Sequence, residues 1–381
     1  MRRNDTKATK LLLLLAVVAL VAAACSSSGG GDTGGTGGDS GGDSGGEMTK
    51  VRLQLQWFTQ AQFAGYYAAL DQGFYAKEGL DVEILQGGVD IVPQQVIGSG
   101  NAEFAISWVP KALVSREEGI DIVNIGQVFE RSGTLEVSWA DSGIKEPKDW
   151  KGKKVGNWGF GNEFELIAAI RKAGLDPNSD VTLVQQAFDM SALLNDEVDA
   201  AEAMIYNEYA QVLETVDPET GELYQPEDLS VIDFNDVGTA MLQDSIWATA
   251  DYLEANSDVA TRFLKASFEG WIWCRDNFDA CVQVVLDNAP TLGESHQRWQ
   301  LNEINGLIWP ATNGIGVMNT PLWDQTIEVA TSEQILGAAP DSGAFRTDLA
   351  EAAIKALEAE GLDVEGADWT RQEVELKEGG N

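Results

Sequence analysis

The sequence is poor in the side chains that enzymes most often use for acid–base, nucleophilic or metal chemistry. Its 381 residues include one histidine, His296, and three cysteines. The polar neighbours of His296 predict a surface position or the first turn of a helix, not a catalytic base. Beyond the Gly-rich segment near the N-terminus, neither a Gly-x-Ser-x-Gly nucleophile elbow nor a Gly-x-x-x-x-Gly-Lys-Ser/Thr phosphate loop occurs. We therefore expect no catalytic residue, no cofactor and no metal site.

Basic residues are scarce as well. Lysine and arginine number 25 against 61 aspartates and glutamates, which gives a formal net charge of −36. Such a field repels nucleic acid and anionic lipid surfaces, so we expect neither as a partner. It also gives no long-range attraction for an anionic ligand. Simple solubility in a salty environment is an alternative explanation of the same charge.

One long apolar run is present, and it lies at the start of the sequence. Leu11–Ala24 follows four basic residues, is too short to span a bilayer comfortably, and ends in small residues before Cys25. We predict a signal peptide over residues 1–24, lipidation of Cys25, and a Gly/Ser/Asp-rich linker over residues 25–47 that cannot fold alone. The alternative is an ordinary cleaved signal with a chance cysteine.

From Met48 onward, short strand patterns alternate with helical ones. Val51–Gln56 alternates apolar and polar residues, as a half-buried strand does. This alternation predicts an α/β fold with largely parallel sheets and helices on both faces, and the length predicts two lobes. We assign residues 48–143 and 240–381 to a discontinuous first lobe and residues 144–239 to the second, with the ligand cleft between them.

Aromatic side chains stand where the predicted strands end at the cleft. They fit a box that stacks on a flat ring, although each could be core: Trp57, Trp108, Trp158, Phe160 and Tyr206. Glu208, at a strand exit and a helix start, could accept hydrogen bonds from an amine or ring N–H, or could match the helix dipole. Asn157 precedes a Gly-rich turn and could orient a ligand, and Gln60 and Asp90 follow strands.

Cys274 and Cys281 remain once Cys25 is set aside, and an oxidising compartment favours a disulfide between them. On one continuous helix, the spacing would hold them too far apart to bridge. A break at Asp276–Asn277, with Asn277 capping the next helix, would bring them together. Both arrangements remain open from the sequence.

Several segments carry a family resemblance. Trp57-Phe58 is followed by Ala64–Ala68 and Gln72–Glu83, and Ser142–Gly156 comes later. Together they resemble substrate-binding proteins of ABC importers, in the branch for pyrimidine precursors of thiamine, riboflavin, sulfonates and nitrate. The resemblance implies the type II periplasmic-binding-protein fold and closure of two lobes on a ligand. It also implies stacking by Trp57 and Tyr206 and hydrogen bonding by Glu208.

Together with the predicted signal peptide and Cys25, this resemblance leads us to expect an extracytoplasmic, lipid-anchored monomer that passes a small heteroaromatic molecule to an ABC permease. A pyrimidine precursor of thiamine is the expected ligand, with a flavin or its precursor, an alkanesulfonate or nitrate as alternatives. The strand exits considered above have no arginine or lysine, which disfavours the anions. A surface lipoprotein without a small ligand is a further class.

A related enzyme makes the thiamine pyrimidine and consumes a histidine of its own chain. Phe63 stands where the resemblance would place that histidine, and the enzyme's Cys-rich iron motif is missing. We therefore expect a binding protein and not a synthase.

Overall fold

The computed structural model describes residues 47–380. The predicted signal peptide, Cys25 and the linker up to residue 46 lie outside the described residues. The strands are β1 Thr49–Gln54, β2 Leu80–Leu85, β3 Phe104–Trp108, β4 Ile122–Gln127, β5 Thr134–Trp139, β6 Lys154–Asn157, β7 Thr182–Gln185, β8 Ala201–Met204, β9 Leu229–Asp233 and β10 Asp244–Thr249. The helices are α1 Ala64–Asp71, α2 Phe74–Lys77, α3 Pro93–Gly98, α4 Val109–Glu117, α5 Phe164–Lys172, α6 Ser191–Leu194, α7 Glu208–Leu213, α8 Phe234–Val237, α9 Ala250–Asp276, α10 Phe278–Asn288, α11 Glu294–Ile308, α12 Thr320–Ser332 and α13 Asp348–Ala359.

The first sheet has five strands in the order β2-β1-β3-β10-β4. β1 runs parallel to β2 and β3, whereas β10 is antiparallel to β3 and β4. Val51 and Leu53 of β1 are buried and Arg52 between them is partly exposed, as predicted, but Gln54 is buried as well, so the predicted alternation holds only for the first part of the strand. Because β1, β2 and β3 are parallel, their carboxyl ends share one edge of the sheet.

The second sheet is antiparallel, with the order β8-β5-β9. A parallel pair, β6-β7, joins it where the backbone N–H of Gly156 donates to Ala200 O at 2.8 Å. The prediction of largely parallel sheets is therefore wrong for the second sheet. β5 lies before residue 143, yet it pairs with β8 and β9, so the chain enters the second sheet earlier than the predicted start of the second lobe at residue 144. The limits of the two lobes otherwise stay a prediction.

Helices α9 and α10 pack against α1 beside the first sheet, and α13 packs against α9. Two glycines allow a close approach of α1 and α9. A Cβ on Gly270 would lie 2.1 Å from the carbonyl oxygen of Gly65, so a larger residue at position 270 would push the helices apart. None of the helices described is long and apolar enough to cross a membrane.

The chain breaks its helix between the two cysteines of this region. α9 ends at Asp276, Asn277 has non-helical torsions, and α10 begins at the next residue. Cys274 and Cys281 form a disulfide, with their Cα atoms 5.0 Å apart. The break lies where the sequence predicts it. The predicted capping role of the Asn277 side chain is wrong, because its Nδ2 donates back to Trp273 O at 3.0 Å.

His296 lies in the first turn of α11, as one of the two predicted positions requires, but it is not at the surface. Its side chain is buried, with Nδ1 2.9 Å from Glu214 Oε2 and Nε2 2.9 Å from Asn207 Oδ1. Polar partners from the segment around α7 therefore replace the solvent that its polar sequence neighbours led us to expect.

Candidate functional site

A cavity of about 430 Å³ opens where strand ends from both sheets meet. Trp108 is the last residue of β3, Trp158 follows β6, and Tyr206 follows β8. Seven of the nine residues predicted to bind ligand line this cavity: Trp57, Gln60, Trp108, Trp158, Phe160, Tyr206 and Glu208. Most of the residues that we selected because they follow predicted strands therefore lie together in the structure. Their role in binding stays a prediction.

Asn157 and Asp90 are not among the described residues that line the cavity. Asn157 is the buried last residue of β6, and its neighbour Trp158 lines the cavity instead. Successive side chains of an extended segment point to opposite sides, so Asn157 and Trp158 are not expected to face the cavity together. Asp90 is exposed in a turn, and its apolar neighbours Val89 and Ile91 line the cavity. Neither residue lines the cavity, and their part in ligand binding stays a prediction that the cavity geometry does not support.

The aromatic wall contains a ring that the sequence analysis missed. Phe188 lies 5.0 Å from Trp57 between ring centroids and is stacked 6.1 Å from Trp158. It therefore joins an aromatic residue after β1 to one after β6. Phe188 comes shortly after β7, so a search for aromatic residues at the end of that strand would have found it.

Asp244, the first residue of β10, organises the wall on the side of the first sheet. Its Oδ1 accepts hydrogen bonds from Gln56 Nε2 at 2.6 Å and from Trp108 Nε1 at 2.8 Å. Its Oδ2 accepts one from Gln62 Nε2 at 3.0 Å. Burial raises the pKa of Asp244 to about 7, although these three hydrogen bonds act in the opposite direction. A lone carboxylate within the apolar stretch around β10 was the sequence signal for this residue.

Glu208 is the first residue of α7 and forms part of the cavity wall. Its Oε2 accepts from the backbone N–H of Met204 at 3.0 Å, and its Oε1 accepts from Asn207 Nδ2 at 2.7 Å. Burial raises the pKa of this carboxyl group, and these hydrogen bonds oppose the rise. A carboxylate can accept further hydrogen bonds, so Glu208 retains capacity for a ligand N–H.

A basic residue also lines the cavity, which corrects the expectation that the strand exits carry none. Lys111 lies in α4, with its ammonium group 4.6 Å from the Trp108 ring centroid, and its Nζ donates to Asn162 Oδ1 at 2.7 Å. Burial lowers the pKa of Lys111 to about 8, while the carboxylates of Glu202 and Glu163 act to raise it. Lys111 lies in the first turn of the helix that follows β3, so including that turn in the search at the strand end would have found it.

Two buried glutamates lie behind the wall on the side of the second sheet. Glu202 in β8 stands opposite Glu136 in β5, and its Oε2 accepts from the backbone N–H of Trp158 at 2.9 Å. Burial raises the pKa of Glu202 to about 8. Burial also raises the pKa of Glu136, and the neighbouring Glu202 adds to the rise. Both Glu136 oxygens lack a hydrogen-bond partner within residues 47–380.

Phe63 does not line the cavity. It belongs to a short 3₁₀ helix, Ala61–Phe63, and its side chain is fully buried in the main hydrophobic core. Position 63 therefore says little about a donor histidine at the ligand. The sequence's sole histidine, His296, is separated from the cavity by Asn207, to which it is hydrogen-bonded.

A protein-family model described as NMT1/THI5 like matches residues 60–280, which is more than half of the chain. The chain belongs to the NMT1/THI5-like family. This assignment agrees with the resemblance found in the sequence.

The relatives of this NMT1/THI5-like chain include proteins named as binding proteins and proteins named as synthases. A formylaminopyrimidine-binding protein of Halalkalibacterium halodurans is 26% identical over 241 residues, covering 62% of this chain and 70% of that protein. A 4-amino-5-hydroxymethyl-2-methylpyrimidine phosphate synthase of Schizosaccharomyces pombe is 26% identical over 151 residues, covering 39% of this chain and 43% of the synthase. Family membership alone therefore does not separate a binding protein from an enzyme.

Solved structures establish the fold of this NMT1/THI5-like protein. A sulfonate ABC transporter periplasmic sulfonate-binding protein, SsuA from Methylobacillus flagellatus, superimposes with a TM-score of 0.61 at 17% identity, covering 87% of this chain and 99% of that one. The periplasmic-binding-protein fold predicted from the sequence is thereby confirmed.

Proposed function

We propose that this chain is the extracytoplasmic solute-binding protein of an ABC importer and that it binds a pyrimidine precursor of thiamine. One observation carries the proposal: the cavity combines aromatic rings from both sheets with the buried carboxylate of Glu208. A flat ring between such side chains gains about 0.5–1.5 kcal/mol per aromatic pair beyond simple burial. An amine on that ring supplies the N–H groups that a carboxylate accepts.

Each wall has a part in this proposal. Trp57, Trp108, Trp158 and Tyr206 stack on the ring, and Glu208 accepts from its amine. Gln60 lines the cavity and donates to Gln62 Oε1 at 2.8 Å, so it belongs to the network around Asp244 and orients the ligand from the first side. The family name and the relative named for formylaminopyrimidine support this ligand class.

Capture of the ligand occurs by closure of the two proposed lobes, residues 48–143 with 240–381 and residues 144–239. Contacts between the two sides already exist at the cavity, where Trp57 meets Phe188 and Lys111 meets Asn162. Phe160 at the rim is 75% exposed, and the apolar side chain of Val89 on the other side is 56% exposed. Closure would cover such rim residues and exclude water from the ring.

Delivery completes the proposed function. We propose that lipidated Cys25 tethers a monomer to the outer face of the cell membrane through the linker over residues 25–47. The support is the sequence pattern of a signal peptide followed by a cysteine and a Gly-rich segment. Capture close to the permease would then shorten the path of the ligand.

A calorimetric titration of the purified protein tests the ligand class. The panel contains an aminopyrimidine, formylaminopyrimidine, thiamine, riboflavin, taurine and nitrate. We expect the pyrimidines to bind most tightly. Tightest binding of riboflavin or of an anion would replace the pyrimidine with the corresponding alternative, and an absence of binding by every compound would reject the proposed function.

The substitution Glu208→Gln tests the central carboxylate. Loss of a charged acceptor is expected to weaken binding of the aminopyrimidine about 10- to 100-fold, because a hydrogen bond to a charged group is worth about 1.5–3 kcal/mol. The free protein should also lose about 1–3 kcal/mol of unfolding free energy, because the glutamine side chain has one acceptor oxygen for the two donors from Met204 and Asn207, so the affinity is measured well below the melting temperature of the variant. Glu197→Gln, an exposed change in the same part of the chain, serves as the control. Equal affinities of both variants would remove Glu208 from the site.

A synthase is the second candidate, because one relative bears that name. The related enzyme consumes a histidine, and the sole histidine of this chain is held between Glu214 and Asn207 and does not line the cavity. We therefore expect the intact mass to stay unchanged after incubation with iron and oxygen. Loss of mass at His296, with a pyrimidine product, would establish the enzyme instead.

A further inference from the structure

The charged residues of the cavity wall are unlike in sign and come from different parts of the fold. Among the described lining residues, Glu208 and Lys111 alone carry a formal charge. Glu208 belongs to α7 after β8 of the second sheet, whereas Lys111 belongs to α4 after β3 of the first sheet. The cavity therefore offers a hydrogen-bond acceptor from one side and a cationic donor from the other.

Lys111 is held in place by its surroundings. Pro110 lies in the first turn of α4, and the backbone N–H of Val109 donates to Leu242 O at 3.2 Å. The half-buried side chain of Lys111 keeps its ammonium group over the Trp108 ring, whose own N–H is bound to Asp244. The donor is thus fixed beside a ring that we propose to stack on the ligand.

The partner of Lys111 is a neutral amide oxygen across the cleft. Asn162 lies between β6 and α5, and its Nδ2 donates to Gly159 O at 2.8 Å, which fixes the side chain. Its Oδ1 accepts from Lys111 Nζ at 2.7 Å. An ammonium group has three N–H donors, so a second oxygen can bind beside Asn162 or in its place.

The local charge selects the kind of oxygen. The carboxylates of Glu163 and Asp244 also act on Lys111, so its positive charge already has negative neighbours. The net charge of the chain is −36. A fully charged phosphate or sulfonate would meet these carboxylates as well as the ammonium group, whereas a carbonyl oxygen uses the donor without adding a negative charge.

We propose that Lys111 is a specificity-determining residue that recognises a neutral carbonyl oxygen on a substituent of the ligand ring, while Glu208 accepts from the amine. This inference rests on the proposed function and narrows its ligand class to rings that carry both groups. A formylamino substituent on an aminopyrimidine has this pair of features. Asn162 supplies the same type of oxygen to Lys111 in the protein without ligand.

Two ligands that differ only in the formyl group test the inference by calorimetry at neutral pH. The wild-type protein should bind the formylaminopyrimidine more tightly than the parent amine. In Lys111→Met, which keeps an apolar stem over Trp108, the affinity for the formyl compound should fall about 10- to 100-fold, the loss expected for a hydrogen bond to a charged group. The affinity for the parent amine should change less than about two-fold.

Control variants separate the possible results. Lys50→Met removes an exposed positive charge from β1 and should leave both affinities unchanged. Lys111→Arg retains a donor and should preserve the preference for the formyl compound. If Lys111→Met fails to fold, Lys111→Gln serves as the test: loss of the preference with the melting temperature retained supports the role of Lys111, and an unchanged affinity ratio overturns it.

The two proposals fail in different ways. If neither pyrimidine binds the wild-type protein, the proposed function is rejected. If both bind, and Lys111→Met weakens them equally or not at all, the pyrimidine site stands and the specificity role of Lys111 is overturned. If a phosphorylated pyrimidine binds more tightly than the formyl compound and loses that advantage in Lys111→Met, the residue recognises an anion and the carbonyl assignment is wrong.

Discussion

The carboxyl groups buried behind the aromatic rings differ between the two sides of the cavity. On the first side, the two oxygens of Asp244 accept hydrogen bonds from Gln56, Gln62 and Trp108. On the second side, Glu136 has no partner for either oxygen and Glu202 has none for Oε1, within residues 47–380. We call the first side the saturated wall; it consists of Asp244 with Gln56, Gln62 and Trp108. We call the second side the unsaturated wall; it consists of the rings of Trp158 and Phe188 and of Glu202 and Glu136 behind them.

This difference in hydrogen bonding indicates which wall is held in one arrangement and which wall lowers the stability of the fold when its carboxyl groups ionise. Buried polar groups with full hydrogen bonding hold one arrangement, whereas a buried carboxylate without a partner is unfavourable unless it is protonated. The saturated wall is therefore a rigid platform for a ring. On the unsaturated wall, burial raises the pKa of both Glu136 and Glu202, to about 8 for Glu202, which favours the neutral acid there.

Breaking the saturated wall should have the largest effect. In Asp244→Ala, the buried donors of Gln62 and Trp108 and the partly buried donor of Gln56 lose their common acceptor. The free energy of unfolding should fall by about 2–6 kcal/mol at pH 7, since each of the two orphaned buried groups costs about 1–3 kcal/mol. Pyrimidine binding should weaken too, because Trp108 loses its orientation. Urea unfolding and calorimetry measure the two effects.

Two further variants, Asp244→Asn and Asp81→Ala, serve as controls for that prediction. The amide of Asn retains an acceptor oxygen and should restore part of the lost stability, while Asp81 is exposed on β2 and its loss should cost less than about 0.5 kcal/mol. A fall in stability for Asp81→Ala that equals the fall for Asp244→Ala would show that the network around Asp244 has no special weight.

The unsaturated wall should make stability depend on pH. The pKa of Glu202 is raised by burial to about 8, so the folded protein retains a proton that the unfolded chain releases. Its contribution to stability is complete below the unfolded pKa of about 4.3, decreases as the pH rises, and is gone above about 8. Glu202→Gln should remove about 1 kcal/mol per pH unit of that slope. Urea unfolding at pH 5.5, 6.5 and 7.5 measures it.

The matched control for the slope is Glu197→Gln, an exposed carboxyl group near the start of β8. It should reproduce the wild-type slope. If Glu202→Gln also keeps the wild-type slope, the carboxyl group of Glu202 is ionised in the folded protein, and the contrast between the two walls disappears.

The sequence predicts the α/β class and most of the cavity wall, because strand exits are readable from local patterns. Trp57, Trp158 and Tyr206 follow apolar strands, and each lines the cavity. The same local rule places Asp90 at the ligand although it lies in an exposed turn, since nothing local distinguishes it from its apolar neighbours. Local patterns therefore find the neighbourhood of the site better than its individual contacts.

Long-range pairing accounts for what the sequence does not reveal. Asp244 meets Gln56 across a sequence separation of 188 residues, and His296 meets Glu214 across 82. Such contacts depend on where β10 and α11 return in the fold, which no local pattern specifies. The direction of β8 and β9 relative to β5 is a tertiary property for the same reason, so the antiparallel second sheet was not predicted.

The smallest expected effect concerns Phe160 on the second side, where the comparison of the two sides extends from hydrogen bonding to backbone strain. Phe160 has a φ of 56°, a left-handed conformation that is unfavourable for a residue with a Cβ, and its ring is 75% exposed at the rim. Phe160→Gly relieves the strain and should raise the free energy of unfolding by less than about 1 kcal/mol. The lost ring should weaken pyrimidine binding about three- to ten-fold, a loss of about 0.5–1.5 kcal/mol.

Phe160→Ala is the matched control for that prediction, because it removes the same ring but keeps a Cβ in the left-handed conformation. Both variants should bind the ligand equally weakly, and Phe160→Gly alone should be more stable than the wild type in urea. If Ala and Gly give equal stability, position 160 carries no strain. If neither weakens binding, the ring is only exposed, and closure does not bring it onto the ligand, because a ring that covers the pyrimidine cannot be removed without cost.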